Sequence, residues 1–161
     1  MNKDQLFVKM ALSAWETHIG RASELLNSLP DEQLLNEIAP NRNSGIYLIG
    51  HLIAIHDAMN DILGLGKRSH LELDEAFVQN PDHSGFDMPA VSVLREYWND
   101  VHQKLGDALK QLSSEEWFKR HTHLTEQDFT KEPHRNKLNV LINRTNHLAY
   151  HLGQLRLLKS N

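Results

Sequence analysis

Hydrophobic residues recur with helical spacing in four long segments of the chain. Their repeat of three and four residues predicts amphipathic helices over Gln5 to Leu29, Ile46 to Leu65, Pro89 to Leu112 and Asn136 to Leu158. Two shorter helical turns are predicted after Pro30 and after Ser113, where a proline or a capping serine opens the segment. No alternating strand pattern of comparable length is present. The pattern therefore predicts an all-α protein.

Four amphipathic helices of about 20 residues predict a four-helix bundle. The first helix is expected to bury Leu6, Met10 and Trp15 on a broad apolar face. The connection from Gly66 to Met88 is long for a compact helical protein, which favours a crossover between helices 2 and 3 over a simple up-down-up-down order. The length also suits one hydrophobic core, so we expect residues 1–161 to form a single domain.

Composition narrows the possible functions mainly by exclusion. Hydrophobic residues make up 40% of the chain, and the net charge of −4 gives no basic field for a nucleic acid. The longest apolar stretch, Ile46 to Ile55, is too short to span a bilayer. The chain has no cysteine, and its N-terminus is unlike a signal peptide. We expect a cytoplasmic protein that binds neither nucleic acid nor membranes.

Histidine is the residue type that stands out, with 11 copies. A random arrangement of so many histidines would give about 0.7 pairs at a spacing of four residues. The chain has one such pair, His147 and His151, so the spacing alone is no evidence for a metal site. On a helix the two Cβ atoms would lie roughly 5–6 Å apart, which allows both rings to reach one ion. Two surface histidines explain the spacing equally well.

A third ligand must come from another helix, and the second predicted helix offers His51 and His56. Both lie within its apolar sector, where an unpaired imidazole would be costly to bury. Each could be a metal ligand or a core histidine bonded to a carbonyl or carboxylate, and the spacing leaves both possibilities open. The other histidines are expected to be exposed or to make local hydrogen bonds. They are His18, His70, His83, His102, His121, His123 and His134.

Carboxylates and tryptophans give weaker signals. Asp57 and Asp61 lie one turn apart on the polar side of the second helix, which favours a solvated face over an acid–base pair. Trp15, Trp98 and Trp117 are expected in or at the edge of the core. Phosphate-binding loops and the HExxH and GxSxG motifs are absent from the sequence. Metal binding by histidine is therefore the main candidate chemistry.

Two motifs resemble those of the DinB-like superfamily, which includes the YfiT-like metal-dependent enzymes. The first is SGIYLIGHL at residues 44–52, and the second is HLAYHLGQ at residues 147–154. The number of helices, their order and the long second connection also agree over the whole chain. The resemblance implies a four-helix bundle with a long crossover that binds one divalent metal ion, zinc or nickel.

The resemblance also implies which histidines bind the metal. The family's ligand on helix 2 follows a small residue and precedes a leucine, which indicates His51 together with His147 and His151. His56 remains the alternative ligand on helix 2. Tyr47 and Gln154, each one turn from a proposed ligand, are candidates to orient the imidazoles. Many members of the family carry an arginine directly after the last histidine of the second motif, where this chain has Leu152. Arg144 and Arg156 are the candidates to take the place of that arginine.

The family implies enzymes that act on small molecules, either S-transferases that use a low-molecular-weight thiol or hydrolases. Three neutral imidazoles leave an ion its full charge and at least one open position, as in catalytic zinc sites. The alternative is a non-catalytic stress-response or dimerisation module with a structural or opportunistic metal. A homodimer is expected in either case.

Overall fold

The computed structural model describes residues 1–160, and this part of the chain contains helices and no strand. The prediction of an all-α protein is therefore confirmed. None of the helices in this range has the length and apolarity needed to cross a bilayer. The helices are α1 (Lys3–Ser28), α2 (Asp31–Leu34), α3 (Gly45–Ile62), α4 (Val91–Gln111), α5 (Ser114–Trp117), α6 (Glu126–Lys131) and α7 (Lys137–Leu155), with a π-helical turn at Glu75–Gln79 and a 3-10 helix at Arg156–Ser160.

Polar side chains cap the starts of α1, α3 and α7, and the cap of α3 is the Ser44 that the sequence indicates, whereas α4 starts after Ala90 without a side-chain cap. The side chain of Asn2 accepts a hydrogen bond from the backbone of Gln5, and Ser44 accepts one from the backbone of Tyr47. Helix α3 ends at Ile62, three residues before the predicted end at Leu65. Gly64 adopts a φ of 68°, a conformation that favours glycine, and closes the helix there.

Each long helix packs against two of the others. Helix α1 contacts α4 and α7, and helix α3 also contacts α4 and α7. Buried apolar side chains from all four helices form one continuous core. The three tryptophans belong to this core, as predicted, because none of them is more than 3% exposed.

The apolar face predicted for α1 is wrong at two positions. Leu6 is 46% exposed and Met10 is 61% exposed, whereas Val8 between them is buried. A residue two positions away from Val8 points about 200° around the helix from it, and therefore away from the core. The hydrophobic residues of α1 lie on two faces, of which only the face containing Val8 and Trp15 packs inward.

The prediction that Asp57 lies on a solvated face is also wrong. Asp57 is fully buried, and its carboxylate accepts hydrogen bonds from the backbone amides of Ser69 and His70 at 2.9 and 3.0 Å. Arg68 lies 3.4 Å from the same carboxylate and is paired with Asp74. The buried carboxylate therefore holds the start of the long connection against α3.

Candidate metal centre

Three histidines from two helices converge on one point. His51 comes from α3, and His147 and His151 come from successive turns of α7. The Nε2 atom of His147 lies 3.2 Å from that of His51 and 3.0 Å from that of His151. Two nitrogen ligands of a tetrahedral zinc ion are separated by about 3.3 Å when each bond is about 2.0–2.1 Å. The group of ligand atoms, all within 4.8 Å of one another, is compatible with metal binding.

Hydrogen bonds on the outer side of two rings determine which nitrogen faces the centre. Nδ1 of His51 donates to the carbonyl oxygen of Phe77 at 2.7 Å, because a carbonyl can only accept. Nδ1 of His151 donates to the Oε1 atom of Gln154, also at 2.7 Å. In the neutral rings these bonds leave the Nε2 lone pairs unprotonated and directed to the centre, as metal ligation requires.

The partner of His51 comes from the long connection, and sequence reasoning missed it. The π-helical turn places Phe77 against Gly50, where a Cβ atom would overlap the phenyl ring. The absence of a side chain at residue 50 therefore lets the connection approach α3 closely enough for its backbone to reach His51. The only sequence signal was the small residue that precedes the histidine, because backbone carbonyls leave no trace in a sequence.

Tyr47 contacts the candidate centre through its ring. The ring lies nearly parallel to that of His51, with 6.3 Å between their centres. The hydroxyl group donates to the carbonyl oxygen of Asn80 at 2.8 Å, and within residues 1–160 it makes no hydrogen bond to a histidine. Tyr47 therefore stacks beside the His51 ring, and its hydroxyl group holds the end of the π-helical turn against α3.

His56, the alternative ligand predicted from the sequence, lies on α3 but outside the three-histidine group. Its fully buried ring points to α4, where Nδ1 lies 2.7 Å from Nε2 of His102. His102 also donates from Nδ1 to the carbonyl oxygen of Trp98. The expectation that His102 is exposed or bonded only locally is wrong, because it forms a buried pair with a histidine on another helix. The partner of His102 is the side chain of His56 on α3, and the periodicity of a single helix does not show which residue of another helix lies opposite.

Burial keeps the three converging imidazoles neutral. It lowers the pKa values of His51 and His151, and it lowers that of His147 to about 4, with a further contribution from the charge of His151. Neutral imidazoles can bind a metal at neutral pH without first releasing a proton. The electrostatics of the cluster therefore agree with its geometry.

Arg144 lies one turn before His147 on α7. Burial lowers its pKa, and its Nε atom is shielded from solvent without a hydrogen-bond partner in the described part of the chain. Arg156 is exposed and borders a separate surface groove beside Glu24. Leu152 is buried in the core.

The buried pair of His56 and His102 should make the protein less stable in acid. Burial lowers the pKa of His102 to about 4 and that of His56 well below its ordinary value of 6.5. Between pH 6.5 and 4 the unfolded chain therefore binds more protons than the folded one, so the free energy of unfolding falls as the pH falls. We expect His102 to contribute a loss of about 2–3 kcal/mol over this interval.

Urea unfolding of chelator-treated protein at pH 7 and pH 4.5 measures this effect. The control is His102→Gln, which cannot be charged at this position and should show a shallower dependence on pH. The histidines outside this pair titrate in both proteins, so the difference between the two slopes reports His102 together with its effect on the pKa of His56. Equal slopes would contradict the prediction.

The family model of the DinB superfamily matches residues 14–155, which is most of the chain. The chain belongs to the DinB superfamily. The prediction from the two histidine motifs is thereby confirmed at the level of the family. No curated protein matches the chain. In this member of the DinB superfamily, the two motifs supply the three histidines that meet between α3 and α7.

Proposed function

We propose that this DinB-superfamily chain binds one divalent metal ion, zinc or nickel, through His51, His147 and His151, and acts as an enzyme on a small molecule. The observation that carries the proposal is the approach of three Nε2 atoms within 3.0–3.2 Å of their neighbours. Two of these atoms are unprotonated, since their rings donate from Nδ1. One proton on His147 could be shared with one of them at a time, whereas a cation satisfies all three.

The chemistry of the ligands supports zinc or nickel. Imidazole nitrogen suits both ions, whereas magnesium and calcium prefer oxygen ligands. When bound by three imidazoles, such an ion supplies a Lewis-acid centre with an open position for an oxygen or sulfur ligand. The protein holds the imidazoles in place through Phe77 and Gln154, and all three ligand residues remain partly exposed to an incoming substrate.

A low-molecular-weight thiol is the nucleophile that the site suits best, and a hydrolase is the second possibility. Within residues 1–160, the group of converging ligands contains histidines and no carboxylate that could act as a base for water. A thiol ionises near pH 8.5 and needs less assistance than water does. This difference supports an S-transferase over a hydrolase.

We further propose that residues 1–161 form one four-helix bundle with a crossover between α3 and α4. Helices α1 and α4 are antiparallel, because Ser23 bonds to Trp98 while Leu26, further along α1, accepts from the earlier Arg95. Short helix α2 contacts both α3 and α4, and Asp31 of α2 pairs with Arg95 in the second turn of α4. The starts of α3 and α4 therefore lie on the same side of the protein, and the two helices run in the same direction. The connection between them must return along the length of α3 to reach the start of α4.

A homodimer and a cytoplasmic location remain predictions of the sequence. The exposed apolar side chains of Leu6, Phe7 and Met10 at the start of α1 support a homodimer, since they form an apolar patch that a second copy could cover.

Metal analysis combined with an activity screen tests the proposed function. Protein purified without a nickel column should contain one zinc or nickel ion per chain by mass spectrometry. Transfer of glutathione, cysteine or coenzyme A to a bimane electrophile should stop when a chelator removes the ion and resume when one equivalent is returned. A panel of ester and amide substrates tests the hydrolase alternative. A chain without stoichiometric metal, or with activity that survives its removal, would refute the proposal.

A further inference from the structure

We propose that Arg144 and the cavity beside it bind the anionic group of the substrate, a carboxylate or a phosphate. This inference rests on the proposed function, because it names a chemical class for the substrate of the same site. The cavity has a volume of about 210 Å³ and lies between the end of α3, the first part of α7 and the connection that precedes α6. Its lining residues are Ile62, His121, His123, Val140, Asn143 and Arg144.

Two of the lining residues have buried polar atoms without a partner among residues 1–160. These atoms are Nε of Arg144 and Nδ1 of His121. Buried polar atoms are almost always hydrogen-bonded in native proteins, and a shielded atom of a charged group is especially costly to leave unpaired. Two such groups at one cavity therefore indicate a site that is completed by a ligand.

The charges around the cavity favour an anion. None of its lining residues is acidic, and within the described part of the chain no carboxylate lies within ion-pairing distance of Arg144. Burial lowers the pKa of Arg144, and no acidic neighbour counters this effect. Burial is also the main reason that the pKa of His121 is lowered, followed by the charges of His123, Arg135 and Arg120. The carboxylate of Asp61 is bonded to the lining residue His123 at 3.0 Å.

Arg144 is placed to connect this cavity with the three histidines. It precedes His147 by three residues on α7, so the two lie on the same side of the helix and about 4.5 Å apart along its axis. The charge of Arg144 contributes to the lowered pKa values of both His147 and His51. A small molecule whose anionic group pairs with Arg144 could therefore extend from the cavity along α7 towards the histidine cluster.

The guanidinium group also explains why the anion should be a carboxylate or a phosphate. Its planar fork of donors matches two oxygens of either group, and such charged pairs form stronger hydrogen bonds than neutral ones. Lysine would supply the charge without the fork. The variants Arg144→Gln and Arg144→Lys therefore separate the loss of charge from the loss of geometry.

Titration calorimetry with succinate and with inorganic phosphate tests the inference without an activity assay. The titrations are made at pH 7.5 on chelator-treated protein, so that neither anion can bind to a metal. We expect at least one of the two anions to bind, and Arg144→Gln to weaken its binding by about 10-fold or more. Arg144→Lys should retain part of the affinity, and Arg156→Gln, which removes an exposed arginine near the end of the same helix, should retain all of it.

The comparison of the two anions shows which group the site prefers. No binding to the wild-type protein, or equal weakening by Arg144→Gln and Arg156→Gln, would overturn the inference. Metal content measured on the same preparations before chelator treatment, and again after one equivalent of zinc is returned, distinguishes the two proposals. Anion binding that depends on Arg144 in a chain that never binds metal supports the anion site and refutes the metal centre, whereas stoichiometric metal without such binding refutes the anion site alone.

Discussion

Replacement of His147 by alanine should abolish stoichiometric metal binding. Its Nε2 atom lies within 3.2 Å of the corresponding atoms of both His51 and His151, so its loss leaves two ligands on different helices. We expect the affinity for zinc to fall by more than the roughly 10–100-fold that loss of an outer hydrogen-bond partner costs. Competition with a chromophoric chelator measures the affinity, and mass spectrometry measures the bound metal.

A graded series of variants distinguishes a ligand from its neighbours. Gln154→Leu removes the acceptor of His151 but no ligand, and its loss of affinity should lie in the 10–100-fold range. His18→Ala removes a histidine from the surface of α1 and should leave the affinity unchanged. Full metal content in His51→Ala would instead indicate His56 as the ligand on α3. Retention of the metal in all single variants would refute the three-histidine centre.

Replacement of Asp57 by alanine should lower the free energy of unfolding by about 3–5 kcal/mol. The carboxylate is fully buried, and its removal leaves the amides of Ser69 and His70 without their acceptor. It also removes a negative charge 3.4 Å from Arg68. Urea unfolding measures the loss, and amide hydrogen exchange should show faster exchange at residues 69 and 70.

Asp61→Ala is the matched control for this prediction. Asp61 lies one turn further along α3, but it is exposed and pairs with an exposed His123. Such surface pairs contribute about 0–1 kcal/mol, so the control should lose little stability. Asp57→Asn keeps one acceptor oxygen and should fall between the two alanine variants. Equal losses in both alanine variants would show that the buried carboxylate does not anchor the connection.

The aspartate pair shows where sequence reasoning reaches its limit. Asp57 and Asp61 are the same residue type one helical turn apart, and the helical wheel places both on the polar side of α3. The long connection covers one of them and leaves the other in solvent, because Ser69 and His70 direct their amides at Asp57. Which part of a loop lies over which helix is a long-range property, and the periodicity of a single helix contains no information about it.

The histidines of α3 differ for the same reason. His51 and His56 both lie in the apolar sector, and the choice between them came from the resemblance to the family. In the structure His51 faces α7, where it meets two histidines, and His56 faces α4, where it meets His102. A helix packed between two neighbours buries two sides at once, so burial alone could not separate a candidate ligand from a core histidine.

The sequence by itself determined the helical class, the approximate limits of the four long helices and the two histidine motifs of the family. These properties depend on the spacing of hydrophobic residues, on capping residues and on residues that end helices, and all of these are local features of the sequence. Only the tertiary structure decided that three histidines from two helices meet, that the carbonyl oxygen of Phe77 orients His51, and that Arg144 borders a cavity. These features depend on how separate helices and a long connection pack together. The four-residue spacing of His147 and His151 is no rarer than chance, and only the packing of α3 against α7 brings His51 to them to form the candidate metal centre.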